Sequence, residues 1–166
     1  SGGGGTGGDA TGGGGEGGAG GGEACLGDTG TPDACSSECE ATDVPGGISN
    51  CDGVQYLKGG VAVPTVACIN ALNPGTCSAY TDGFEGCFLT NLAEACHDPA
   101  VATPCSGIAT ACGSTDDAAW QAECSAVLSG LTEAGRTIVT SCMDTYCASG
   151  FTLQDCAVSV YYNYVD

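Results

Sequence analysis

The sequence predicts a mainly α fold: a small, disulfide-stapled helical domain (residues 25–166) preceded by an extended glycine-rich N-terminal segment (residues 1–24). Three observations carry this reading. All 14 cysteines fall in the second part, where about one residue in ten is cysteine, the density of a disulfide scaffold. Helix start and stop signals recur along that part. Of residues 1–22, 15 are glycine, against 15 in the 144 residues that follow.

The glycine-rich segment is more regular than a random spacer. SGGGGTGGDA and TGGGGEGGAG align over ten residues, yet there is no strict G-X-Y period, which excludes collagen. Composition alone suits a flexible linker. A second use follows from the missing side chains: a glycine strand or polyproline-II-like rod fits a narrow groove and hydrogen-bonds through its backbone. Fully extended, the segment reaches roughly 70 Å, while a domain of this size is only about 35–40 Å across. It can therefore span a neighbouring subunit, with Gly2, Gly5, Gly8, Gly12, Gly15, Gly18 and Gly21 as candidate assembly contacts. A head-to-tail contact of that kind repeats without closing and builds a fibre.

From Cys25 onward the texture changes. Thr31-Pro32 reads as an N-cap with proline at the first helical position, predicting helix from Pro32 to about Glu40. Asp82 with Glu85 marks a start before Cys87, and Thr103-Pro104 opens a short helix, Pro104 to Cys112, that Gly113 closes. Ser114 with Asp117 predicts a helix from about Thr115 to Leu128, with Trp120, Cys124, Val127 and Leu128 on one face, and Gly130 breaks it. Thr132 starts another, in which Ile138, Val139 and Cys142 keep helical spacing. Thr152 with Asp155 caps the last element, TLQDCAVSVYYNYV. As a helix this segment puts Cys156, Val160, Tyr161 and Tyr164 on one face; as a strand it aligns Val158, Val160, Tyr162 and Tyr164. Its tyrosines Tyr161, Tyr162 and Tyr164 are core packing in either form, or an assembly surface if left exposed.

TVACINALNPGTCSAYTDGFEGCF and IVTSCMDTYCASGFTLQDCAV share an apolar turn ending in Cys, a second Cys, a capped start and a third Cys. They mark a degenerate internal repeat over about residues 64–96 and 137–165. The candidate bridge residues are Cys25, Cys35, Cys39, Cys51, Cys68, Cys77, Cys87, Cys96, Cys105, Cys112, Cys124, Cys142, Cys147 and Cys156. Cysteines 68, 77, 87, 96 and 105 are nine or ten apart, which suits short helices each stapled to a neighbour. One bridge closing about ten residues is worth roughly 2.5–3 kcal/mol, large beside a typical net stability of about 5–15 kcal/mol. Such bridges persist outside the cell, in a periplasm or at a cell surface.

The net charge of −18 reflects a lack of bases: Lys58 and Arg136 are the only cationic side chains. Nucleic-acid binding through phosphate neutralisation is thereby excluded, as is docking on anionic lipid. Copies repel one another, so self-association should strengthen with salt or divalent cations. The longest apolar run, Val61 to Leu72, is short for a bilayer and carries Pro64, so no transmembrane segment is expected. Ser1 is not an initiator methionine, as expected after removal of a leader. A small residue followed by polyglycine also commonly follows an acylated cysteine in bacterial lipoproteins, which fits a lipid anchor upstream of Ser1.

Chemistry-bearing constellations are sparse. His97, in EACHD, is the only histidine and reads as a favourable charge at a helix C-terminus. No GxSxG or CxxC occurs, so neither a hydrolase elbow nor structural zinc is indicated. Cys35/Cys39 and Cys142/Cys147 lack the electropositive setting of reactive thiolates and read as structural. DGFE and STDD are short acidic turns, not calcium loops with ligands at alternate positions, and leave weak interfacial calcium as the one cofactor expectation.

The run ECSAVLSGLTEAGRTIVTSCMDTYC, residues 123–147, resembles segments of cysteine-rich secreted proteins and lipoproteins of myxobacteria, which often begin with a glycine-rich stretch. The resemblance implies a bacterial surface or extracellular location and carries over no catalytic residue. The sequence thus points away from an enzyme. It points to an extracellular structural protein whose glycine segment packs on another copy, with a surface-tethered binding module as the alternative.

Overall fold

The computed structural model describes residues 25–35, 51–72, 83–115 and 117–162, with side chains to residue 160. Six α-helices order the described chain: α1 (Gly59–Ala71), α2 (Phe84–Ala93), α3 (Ala102–Cys112), α4 (Ala118–Ser129), α5 (Glu133–Tyr146) and α6 (Leu153–Tyr162). Short 3-10 turns precede α1 (Asp52–Tyr56), α3 (Pro99–Val101) and follow α5 (Cys147–Ser149). The fold is mainly α, as the sequence predicts, and the C-terminal segment takes the helical alternative.

Several boundaries follow the predicted punctuation. Gly113, in the left-handed region at φ 74°, ends α3. Thr132 caps α5 by accepting from the Gly135 N–H. Thr152 and Asp155 form a reciprocal capping box, with Thr152 N–H donating to Asp155 Oδ2 at 2.7 Å and Asp155 N–H to Thr152 Oγ1 at 3.1 Å. Elsewhere local competition moves the ends. α4 is capped by Asp117, whose Oδ1 accepts from the Ala119 and Trp120 N–H groups, so the helix starts at Ala118 and not at Thr115. Asp98 accepts from Ala100 N–H and seeds a 3-10 turn that runs into α3 at Ala102, ahead of the Thr103-Pro104 signal. The Pro32 helix is not formed over Thr31–Cys35. There the Ala34 carbonyl accepts from the Asn70 side chain of α1 and Cys35 bonds to Cys51, which ties the segment down without helical hydrogen bonds. The remainder of that prediction, and Asp82, lie outside the described residues.

Among the described residues six disulfides join Cys25–Cys96, Cys35–Cys51, Cys68–Cys87, Cys105–Cys124, Cys112–Cys147 and Cys142–Cys156. Cys39 and Cys77 lie outside the described residues. Three bridges staple helix hairpins: Cys68–Cys87 across α1–α2, Cys105–Cys124 across α3–α4, and Cys142–Cys156 across α5–α6. In these three the partners are neighbours across a hairpin, and in none of the six are they adjacent cysteines in the chain.

The α1–α2 and α5–α6 hairpins are built to one plan. In both, the bridge joins the tenth residue of the first helix to the fourth of the second. Val61, Thr65 and Ile69 are the buried i, i+4, i+8 stripe of α1, and Gly135, Val139 and Met143 occupy the same positions of α5. Two residues ahead of each helix, Leu57 and Leu131 pair in an antiparallel bridge. The pairing is reciprocal: Lys58 N–H donates to Gly130 O at 2.9 Å, and Thr132 N–H donates to Tyr56 O at 2.8 Å. An approximate two-fold axis thus passes between Leu57 and Leu131. α2 packs on α4 as α6 packs on the 3-10 turn before α1, and α2 meets α6. The core fills the space between, with Phe88, Leu92, Ile108, Leu128, Leu131, Leu153 and Val160 fully buried.

The N-terminal end of the described chain is clamped onto this body. Leu26 pairs with the end of α2, its N–H donating to Glu94 O at 2.8 Å and its carbonyl accepting from Cys96 N–H at 2.9 Å. Beside that bridge lies Cys25–Cys96. Gly27 and Gly30 then lie against the Gly59-Gly60 start of α1, backbone on backbone. A Cβ on Gly30 would stand 2.7 Å from the Gly59 carbonyl oxygen, and one on Gly60 would overlap the Gly27 carbonyl.

Candidate functional site

The charged chemistry of the domain converges on Asp98, between α2 and α3. Lys58, ahead of α1, donates to Asp98 Oδ2 at 2.8 Å and pairs with Asp28 Oδ1 at 2.9 Å. Arg136, in the first turn of α5, donates through Nη2 to the same Asp98 oxygen and through Nε to Leu128 O at 2.8 Å. The remaining partners are Ala100 N–H, on Asp98 Oδ1, and the buried Ser129 hydroxyl, which accepts from Asp98 N–H. The Lys58 ammonium, the Arg136 guanidinium and the Ala100 N–H hold the Asp98 carboxyl far below the usual carboxylate range. Lys58 and Arg136 are 14% and 18% exposed. The two cations of the chain are thus consumed by one structural knot tying both hairpins to the α2–α3 connection.

His97 stands four residues beyond α2, not at its C-terminus as the sequence suggests. Its Nδ1 lies 2.8 Å from Ser125 Oγ on α4. The pair is exposed, and among the described residues no carboxylate orients the other ring nitrogen, the third part that a serine nucleophile requires.

The cysteine pairs considered for redox work are separated: Cys35 bonds to Cys51, Cys142 to Cys156 and Cys147 to Cys112. Among the described residues no group of three metal-ligating side chains converges. Within STDD, Asp117 serves as the α4 cap.

A groove of about 460 Å³ opens where the end of α3, the start of α4, the end of α5 and the start of α6 meet. Trp120 and Glu123 enter from α4, Phe151 from the α5–α6 connection and Gln154 from the first turn of α6. The Cys112–Cys147 bridge braces the lining. Phe151 is 47% exposed and stacks at 5.2 Å on Tyr146, which is 48% exposed. The sequence puts Trp120 on one face of α4 with Cys124, Val127 and Leu128, and Trp120 packs against the core from that face. Those three are buried, while Trp120 stands only half-buried beside Glu123. The groove was hidden because Phe151 lies 31 residues from Trp120 and meets it only through the packing of α5–α6 on α4.

Of the proposed assembly residues, Tyr161 and Tyr162 continue the α6 backbone. Tyr164 and the glycines Gly2 to Gly21 lie outside the described residues. No protein family, curated protein or solved structure matches the chain.

Proposed function

We propose that the chain is a non-enzymatic extracellular structural protein, a subunit of a filament or surface assembly in which the glycine-rich N-terminus packs on a neighbouring copy. The observation that supports it is the contact of Gly27 and Gly30 with Gly59 and Gly60. Within its own fold the chain uses glycine-on-glycine backbone packing immediately after the glycine segment, and the same chemistry extends to a groove on a second copy. The six disulfides among the described residues give durability in oxidising surroundings. No helix among the described residues is long and apolar enough to cross a membrane. The test is negative-stain electron microscopy of the oxidised full chain beside a version starting at Glu23. Filaments from the full chain, promoted by salt or calcium, and dispersed particles from the shorter one are expected; dispersed particles from both would overturn the reading.

A second reading, a surface-tethered binding module with the glycine segment as spacer, is favoured by the open aromatic groove.

A further inference from the structure

We infer that the groove between α4 and the α5–α6 connection binds a cationic side chain, lysine or arginine, presented by a basic polypeptide other than this chain. The inference stands whether or not the chain assembles. Trp120, half-buried in the lining, is the aromatic residue that attracts cations most strongly, and Phe151, in ring contact with Tyr146, is a second. Glu123, one helical turn from Trp120, brings its carboxylate into the same lining. Among the described residues that carboxylate has no hydrogen bond or ion pair, whereas Asp98, Asp117 and Asp155 are all engaged by backbone or side-chain donors. An indole face beside a free carboxylate matches an alkylammonium or guanidinium, which meets the ring with its apolar flank and the carboxylate with its donors.

The charge of the whole molecule narrows the ligand further. An anion would meet Glu123 and a protein of net charge −18, with no cation in the lining to offset them. A second copy has no free lysine or arginine side chain to give. Lys58 and Arg136 are both locked on Asp98, and the glycine-rich segment carries Asp9, Glu16 and Glu23 but no base. The field that keeps copies apart draws a basic partner in.

Trp120 is the only tryptophan, so its emission reports directly on the groove. The oxidised full-length protein is titrated with capped tetralysine, capped tetraserine and a neutral cellulose-derived oligosaccharide while tryptophan is selectively excited. A saturable change with tetralysine alone, weakening as salt rises, is expected. Glu123→Gln and Phe151→Ala should each weaken it at least fivefold. Asp33→Asn, which removes the same charge from an exposed residue outside the groove, should weaken it less than twofold. Circular dichroism of each variant confirms the native helix content. Either of two results overturns the inference: no saturable change with tetralysine, or equal weakening by Glu123→Gln and Asp33→Asn. A response to the oligosaccharide without one to tetralysine overturns it as well.

Discussion

The α1–α2 and α5–α6 hairpins share a staple and a register, yet they are held by different means. α1 buries Val61, Ala62, Thr65, Val66 and Ile69, and α2 adds Phe84, Phe88 and Leu92. α5 buries only Gly135, Val139 and Met143. Where α1 has Val61 and Ala62, α5 has Gly135 and Arg136; where α2 has Phe88, α6 has Ala157. Gly135 is required where it stands, since a Cβ there would lie 2.9 Å from the Tyr56 carbonyl oxygen. Polar devices replace the missing apolar area. Thr132 caps α5, a capping box starts α6, and Arg136 anchors on Asp98; the N-cap positions of α1 and α2 are Lys58, without a side-chain cap bond, and Gly83. One hairpin plan thus tolerates two stabilising chemistries, and the less apolar copy is the one whose connection opens into the groove.

The largest effect is expected from the disulfides. Complete reduction should unfold the domain, and native helicity by circular dichroism in excess reductant would sink the view that bridges decide folding. Removing single staples sharpens the comparison. Cys68→Ala/Cys87→Ala and Cys142→Ala/Cys156→Ala open loops with separations of 19 and 14 residues. Chain entropy makes these losses nearly equal, about 3 kcal/mol each and within about 0.3 kcal/mol of one another. Any excess loss therefore reports on the native state. Amide exchange should accelerate more in α5–α6 without its staple than in α1–α2 without its own, because less apolar surface keeps α5–α6 closed.

The Asp98 knot comes next. Asp98→Asn leaves Lys58 and Arg136 facing an uncharged amide in a mostly buried site, at an expected cost of about 2–4 kcal/mol in urea unfolding. The pH dependence has a definite sign. Asp98 is depressed in the folded state, so its contribution is fully present above the unfolded carboxylate value of about 3.9. It is lost as pH falls through the lower folded value. The stability gap between native protein and variant should therefore stay constant from about pH 7 to 5 and close below about pH 4. A gap that widens in acid would exclude this assignment.

The sequence shows the helices and their stops because caps and glycines act over three or four residues. Gly113, Gly130, Thr132 and the Thr152/Asp155 box are all of this kind. Where two local signals overlap, the stronger acceptor wins: Asp117 takes the α4 start from Ser114, and Asp98 starts the turn before α3. What long-range packing creates is not legible. The clamp of Leu26 on Glu94 and Cys96, the Asp98 knot and the groove join residues 30 to 70 positions apart. The cysteine order suggests a repeat over residues 64–96 and 137–165, but which of those cysteines pair, Cys68 with Cys87 and Cys142 with Cys156, is set by the packing of each hairpin.

The smallest effects test whether caps really substitute for burial in α5–α6. Asp155→Ala removes the acceptor of both the Thr152 N–H and its hydroxyl, and should cost about 1–1.5 kcal/mol. Thr132→Ala should cost less, about 0.5 kcal/mol. Its side-chain bond to Gly135 N–H is long, at 3.3 Å. The entry to α5 is also fixed independently by Thr132 N–H on Tyr56 O, the symmetry counterpart of Lys58 N–H on Gly130 O. α1 shows that this backbone pairing is sufficient, since Lys58 starts a helix with no side-chain cap at all. If thermal melts show Thr132→Ala to be the costlier change, the Leu57–Leu131 crossing is not what holds the two helix entries, and the capping side chain carries α5 alone.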